Sequence, residues 1–259
     1  MFLLNVTRFI RILLILVIVI SPYKLFSKNI DLNYDIEWKT LNIAKLIWSA
    51  NLDDNRYTIK NTISSDGIFS SMYPFELTSQ TNGSIVDDSF SPSHFHYISQ
   101  SRKKNKSVSI NFDELGLIND YEIIPKPDDF YIDNFNQLKS QKLFTDPISQ
   151  LFEYFLHQKS SNKTIIDGRR IYDLLAENIE GKTFDENSPI NFKRETLGLK
   201  ITFPYYLSLW KDSKDDKNKI KYVIIYYSAF KNTNIPVQIV LKTNRSKIFM
   251  NLSSYNIVN

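Results

Sequence analysis

His94 and His96 stand two residues apart, so on a strand both imidazoles project from one face, as a pair of metal ligands would. Zinc needs three or four ligands, and no third histidine or cysteine lies nearby in sequence. Only Asp87, Asp88 or the distant His157 could complete the set through folding, and the expectation is ordinary strand-face histidines with no metal. The stretch Ile165-Ile-Asp-Gly-Arg-Arg-Ile-Tyr-Asp-Leu-Leu175 concentrates two carboxylates, two guanidinium groups and a phenol. Asp167-Gly168 reads as a structural turn, because Gly accepts positive φ and Asp caps its own backbone. Beyond it Arg169 and Arg170 point to opposite faces, and Tyr172 shares the face of Arg170. The favoured reading sends one arginine to solvent and pairs the other with Asp173 or a loop carboxylate to fix the hairpin; a contact of Arg170 and Tyr172 with a ligand headgroup, and catalysis, are the alternatives.

Other chemistry finds less support. Serines are many, but no Gly-x-Ser-x-Gly elbow exposes one as a nucleophile. The pairs Asp87-Asp88, Asp128-Asp129 and Asp215-Asp216 lie in polar stretches, and adjacent side chains diverge on a strand. With 6 glycines, none arranged as a phosphate loop, no nucleotide cofactor is expected. No residue is assigned a catalytic role, and no cofactor is expected.

The elements that would hold these groups follow from periodicity. Tyr34, Ile36 and Trp38 alternate with Asp35 and Glu37, and Ala44, Leu46, Trp48 and Ala50 share a face of the next segment. Tyr57 and Ile59 follow the turn Asp53-Asp54-Asn55, and Val108, Ile110 and Phe112 continue the pattern beyond Tyr97. These are consecutive antiparallel strands. One segment has another period: Ile148, Leu151, Phe152, Phe155 and Leu156 recur at helical spacing behind Asp146 as cap and Pro147 as first helical residue. Strands resume over 200–207, 220–229, 237–241 and 248–255. The expected fold is mainly β: a strongly curved antiparallel sheet or unclosed β-barrel with one principal packed helix.

The 15 tyrosines and 18 phenylalanines either fill a solid core or partly line a cavity for an apolar ligand. Candidate lining residues are Phe152 and Phe155 of the helix, together with Phe69, Met72, Tyr73 and Phe75, which occupy a strand interruption and would form a lip over the sheet. A loop folded back on the core is the alternative for those four.

The first 26 residues place Arg8 and Arg11 before a nine-residue apolar run, Ile12 to Ile20, followed by Ser21-Pro22. The run makes about 14 Å of helix, whereas a membrane span takes about 20 residues. The layout is that of a secretory signal peptide over 1–27, ahead of one exported β-rich domain over 28–259. An uncleaved anchor and a buried strand are the alternatives. Without cysteine there is neither a lipid attachment site nor a disulfide framework. The formal charge of +4 falls to +1 once Arg8, Arg11 and Lys24 are discounted. A single basic cluster, Ser101 to Lys106, reads as a solvated hairpin tip, so no nucleic-acid partner is expected.

In order, several pieces resemble one family: Tyr34-Asp35 with Ala44; Tyr57 leading through Gly67 to Tyr73-Pro74-Phe75; Gly83 with Phe90, Pro92 and Tyr97; Asp146-Pro147; Asp167-Gly168-Arg169-Arg170 with Tyr172-Asp173; and Pro236. Over residues 31–255 the chain resembles the exported bacterial domain of unknown function numbered 3108, found in the periplasm or envelope of Gram-negative bacteria. The resemblance implies a fold akin to the periplasmic lipoprotein carriers, and with it an apolar or lipid-like ligand. It implies no reaction. A structural or interaction role with another envelope protein, and an envelope hydrolase, are the alternative functions. Membrane contact is expected only before signal cleavage or as a peripheral association.

Overall fold

The computed structural model describes residues 27–102, 104–157, 164–188, 190, 193–208, 220–230 and 233–258, with the backbone alone at 205–208. The leader expectation, the charged loop 211–219 and the centre of the basic cluster lie outside the described residues.

Seven strands run in succession: β1 (Lys28–Trp38), β2 (Leu41–Leu52), β3 (Arg56–Ser65), β4 (Phe75–Val86), β5 (Ser89–Ser101), β6 (Asn105–Phe112) and β7 (Ile118–Ile124). A five-residue helix, α1 (Ile68–Met72), interrupts them between β3 and β4. The chain returns to this sheet with β11 (Leu175–Ile179), β14 (Leu197–Thr202), β16 (Ile220–Phe230), β17 (Thr233–Thr243) and β18 (Lys247–Val258). The result is a 12-stranded antiparallel sheet in the order β11-β14-β16-β17-β18-β1-β2-β3-β4-β5-β6-β7. β1 pairs with β18, which joins the first and last described strands, while β11 and β7 remain as edges, so the barrel is not closed.

The period-two pattern does what half-buried strands require. Ile30, Leu32, Tyr34 and Ile36 of β1 and Ala44, Leu46, Trp48 and Ala50 of β2 are buried on one face. Register shifts at Asn33/Tyr34, Ile36/Glu37, Asn82/Gly83, Asn111/Phe112 and Tyr226/Tyr227 mark bulges. Each bulge adds bend and twist, which lets a sheet this wide wrap around its own inner face. At the bulge in β4, a Cβ on Gly83 would lie 2.1 Å from the Ser91 carbonyl oxygen, so a side chain does not fit there.

Two helices of 11 residues follow β7. The second, α3 (Pro147–His157), is the one expected from the sequence. Asp146 accepts from the amides of Ile148 and Ser149 at 2.9 and 3.0 Å, an N-cap in the expected place. The first, α2 (Asp129–Lys139), was not anticipated, because only Phe135 on it is buried and its apolar stripe is weak.

α3 also makes room for one parallel pair beside the large antiparallel sheet. β8 (Phe144–Thr145) and β9 (Thr164–Ile166) pair in parallel on either side of it, and a parallel pair needs such a crossover. With β10 (Arg170–Tyr172) and β15 (Tyr205–Ser208) they form a four-stranded sheet, β15-β10-β9-β8. β12 (Thr183–Phe184) and β13 (Arg194–Glu195) make a separate two-stranded ribbon.

Candidate functional site

The inner face of the large sheet does not close fully on α3 and the small sheet. Between them lies a cavity of about 310 Å³, at the lower end of the usual range for ligand pockets, roughly 300–1,000 Å³. The large sheet contributes Leu46 and Trp48 from β2, Asn61 and Ile63 from β3, Ile201 from β14, Val223 and Ile225 from β16, Ile239 from β17 and Met250 from β18. Across from them stand Leu151 and Phe155 of α3, and Ile165, Asp167, Arg170, Tyr172 and Leu174 of the small sheet and its margin. The walls are mostly aliphatic and aromatic, with four polar side chains: Asn61, Asp167, Arg170 and Tyr172.

Local sequence places each of these. On β3 the inward positions are Tyr57, Ile59, Asn61 and Ile63, so a carboxamide replaces an apolar group in an otherwise hydrophobic row. The Oδ1 of Asn61 is buried without a hydrogen-bond partner among the described residues. On β10, Ile171 is fully buried, and Arg170 and Tyr172 on the opposite side border the cavity. The tyrosine ring meets Phe203 edge-on at 5.7 Å.

Asp167 holds the turn before them. Its Oδ1 accepts from the amides of Arg169 and Arg170 at 2.7 and 2.6 Å, and its own amide donates to the Arg170 carbonyl at 3.2 Å. Burial pushes its carboxyl above the ordinary value, against the pull of those amides and of the two arginine charges. Burial first, then the Asp167 and Asp146 charges, hold the Tyr172 phenol well above its ordinary value, so it remains a neutral donor. Gly168 has φ +79°, and a Cβ there would lie 2.3 Å from Cγ1 of Val108. This turn therefore packs against β6 as well as bordering the cavity.

A buried polar clamp ties α3 to the sheet beside this space. Tyr57 Oη and Ser149 Oγ are 2.6 Å apart, and Thr81 Oγ1 donates to Asp146 Oδ2 at 2.9 Å. One turn on, Glu153 Oε2 accepts from the Phe90 amide at 2.8 Å and from Ser89 Oγ at 3.1 Å. Asp146, Ser149 and Thr81 have no solvent exposure, so the cluster offers a substrate no access and serves to dock the helix.

The expected site residues divide. Phe155, Arg170 and Tyr172 meet at the cavity, and Asp167 joins them. Phe152 lies beneath, edge-on to Trp48 at 5.0 Å, as core. Phe69, Met72, Tyr73 and Phe75 are absent from the lining: they belong to α1 and its exit, with Met72, Tyr73 and Phe75 exposed on the outside. Phe69 is half-buried, and no residue of the five-residue helix is buried. The sequence reading missed Asn61, whose signal was a polar residue at an inward position, and the β14 and β16 to β18 residues of the far wall. His157 meets Asp88 at 3.7 Å, away from His94 and His96, whose rings face each other at 5.3 Å. Among the described residues no group of three His, Cys, Asp or Glu side chains is arranged to hold a metal.

Comparison with known proteins gives a family and two remote likenesses. A family described as "Protein of unknown function (DUF3108)" matches residues 33–247. No curated protein matches the chain. A solved β-barrel-like protein of DUF1849 from Brucella abortus matches with TM-score 0.45 and 10% identity, over 89% of this chain and 98% of that one. A DUF1329 family protein from Desulfovibrio piger matches with TM-score 0.21 and 10% identity, over 90% of this chain and 86% of that one.

Proposed function

The chain belongs to the DUF3108 family, and from that starting point we propose that it is a periplasmic, non-enzymatic protein that holds an amphipathic, lipid-like ligand between its curved sheet and α3. The observation that carries this reading is the cavity of about 310 Å³ with apolar walls on both sides. A solid core of the same composition would leave no such space. The ligand's apolar part lies against Leu46, Ile63, Leu151, Val223 and Ile239, and its polar group lies at Asn61, Asp167, Arg170 and Tyr172. That small polar set fixes the ligand's orientation, while affinity comes from apolar burial, roughly 25 cal/mol for each Å² removed from water.

Native mass spectrometry with lipid extraction, on protein purified from its own envelope, tests the proposal. A stoichiometric apolar adduct is expected. Val223→Phe, which adds volume to the wall at a cost of about 1–3 kcal/mol, should remove the adduct from a protein that remains folded. An empty cavity in protein prepared without detergent overturns the reading, as does turnover abolished by changing one polar residue without loss of folding.

A further inference from the structure

Strand register gathers four chain segments at one end of the large sheet. β1 ends and β2 begins there, at the turn Lys39-Thr40; β3 ends there and passes through Asp66-Gly67 into α1; β5 turns to β6 there, and β17 turns to β18. The cavity reaches the same end, since Ile63 near the end of β3 and Ile220 at the start of β16 both line it. Ile220 is also 37% exposed.

This rim carries apolar groups that the fold does not use. Ile68 is 78% exposed, Met72 55%, Tyr73 67% and Leu41 54%. Ile68 and Met72 are four residues apart and share the outer side of α1. Exposed cations stand at the same end of the sheet: Lys39, Arg102, Lys104, Arg245 and Lys247. Arg102 donates to the Ser71 carbonyl at 3.1 Å, which fixes its guanidinium against α1, and the Lys39 ammonium stands 5.0 Å from the Trp38 ring. Among the described residues, the acids at this end include Glu37, Asp66 and Glu76, and Asp66 is already paired with Lys45 at 3.1 Å.

An exposed apolar tip on a rim that also carries cations and aromatic groups has the chemistry of a bilayer interface. Apolar groups enter the headgroup–acyl boundary, Trp and Tyr settle at headgroup level, and Lys and Arg meet anionic phosphates. We propose that this rim docks the protein on an anionic phospholipid surface, with Ile68, Met72 and Tyr73 inserted and the cavity mouth turned toward the lipid. The docking stands whether or not the cavity holds a lipid; only the traffic through the mouth rests on the function proposed above.

The chain has no cysteine, so one environment-sensitive fluorophore can be attached at Met72→Cys, and in a second protein at Val86→Cys, an exposed position at the other end of β4. Each is mixed with vesicles of phosphatidylcholine and phosphatidylglycerol, and with vesicles of phosphatidylcholine alone. The expected result is a blue-shifted, brighter emission at position 72 with the anionic vesicles only, none at 86, and loss of the effect at about 1 M salt, where the screening length is about 3 Å. Lys104→Ala should lower the partition coefficient about fivefold, the loss of one cation's contribution near an anionic surface. No change at 72, or equal changes at 72 and 86, overturns the proposal, as does insensitivity to lipid charge. Because the readout is local to one position, contacts made by the N-terminal segment do not imitate it. Loss of docking with the extracted ligand still bound sinks this inference alone; docking by a protein without ligand sinks only the carrier reading.

Discussion

Trp48 of β2 and Asn61 of β3 are direct cross-strand partners, and both border the cavity. Each carries a buried polar atom, Trp48 Nε1 and Asn61 Oδ1, that no described protein group satisfies. A buried acceptor left without a partner costs about 1–3 kcal/mol, so the pair is a local sacrifice of stability beside the space assigned to a ligand.

Asn61→Leu should therefore raise stability by about 1 kcal/mol, seen as a higher urea midpoint with an unchanged slope. The same protein should retain less ligand in native mass spectrometry. A drop in stability without change in ligand content would return Asn61 to a purely structural role.

Gly168→Ala should destabilise by about 2 kcal/mol or more, because it adds a Cβ at positive φ and drives it into Val108. Adding Val108→Ala relieves the collision but not the backbone strain, so the double variant should recover only part of the loss. Full recovery would show that the turn tolerates a side chain at this φ.

The pH dependence of stability should carry the mark of two carboxyls that desolvation raises. Burial raises both Asp146 and Asp167 above 3.8 in the folded state. In the window above 3.8 the folded protein binds more protons than the unfolded chain, so their contribution favours folding at low pH and is lost as pH rises through the folded values. Asp146→Asn keeps an acceptor for the helix cap and removes one of these titrations. Measured by urea unfolding from pH 4 upward, its stability relative to the parent should improve as pH rises. A relative stability that falls with pH would mean that Asp146 is held below its ordinary value instead.

Export makes a separate prediction. Intact mass of protein recovered from the periplasm should correspond to loss of about the first 27 residues, as the charged start and short apolar run imply. Full-length protein confined to the membrane fraction would establish the segment as an anchor.

Much of this protein is local in origin. Alternation in β1, β2 and β3 determined which side chains turn inward, because successive residues on a strand must point to opposite faces. The spacing from Ile148 to Phe155, with Asp146 and Pro147 ahead of it, determined α3, and Asp167-Gly168 determined the turn that presents Arg170 and Tyr172. What lies opposite those inward residues is a different kind of fact. That Leu46, Ile63, Leu151 and Leu174 border a cavity depends on how far the bulged sheet bends and how deeply α3 sits, held by Tyr57 and Thr81 and by the bonds of its own Glu153 to Ser89 and Phe90. The parallel pairing of β8 with β9 is equally non-local, since neither short strand carries a pattern that names its neighbour. The exposure of Met72 and Tyr73 is likewise a matter of tertiary geometry, since their apolar character alone favours burial. Sequence sets the face a side chain takes through the stereochemistry of its own backbone, whereas a cavity or an exposed rim is set by the distance between surfaces that the chain brings together only when it folds.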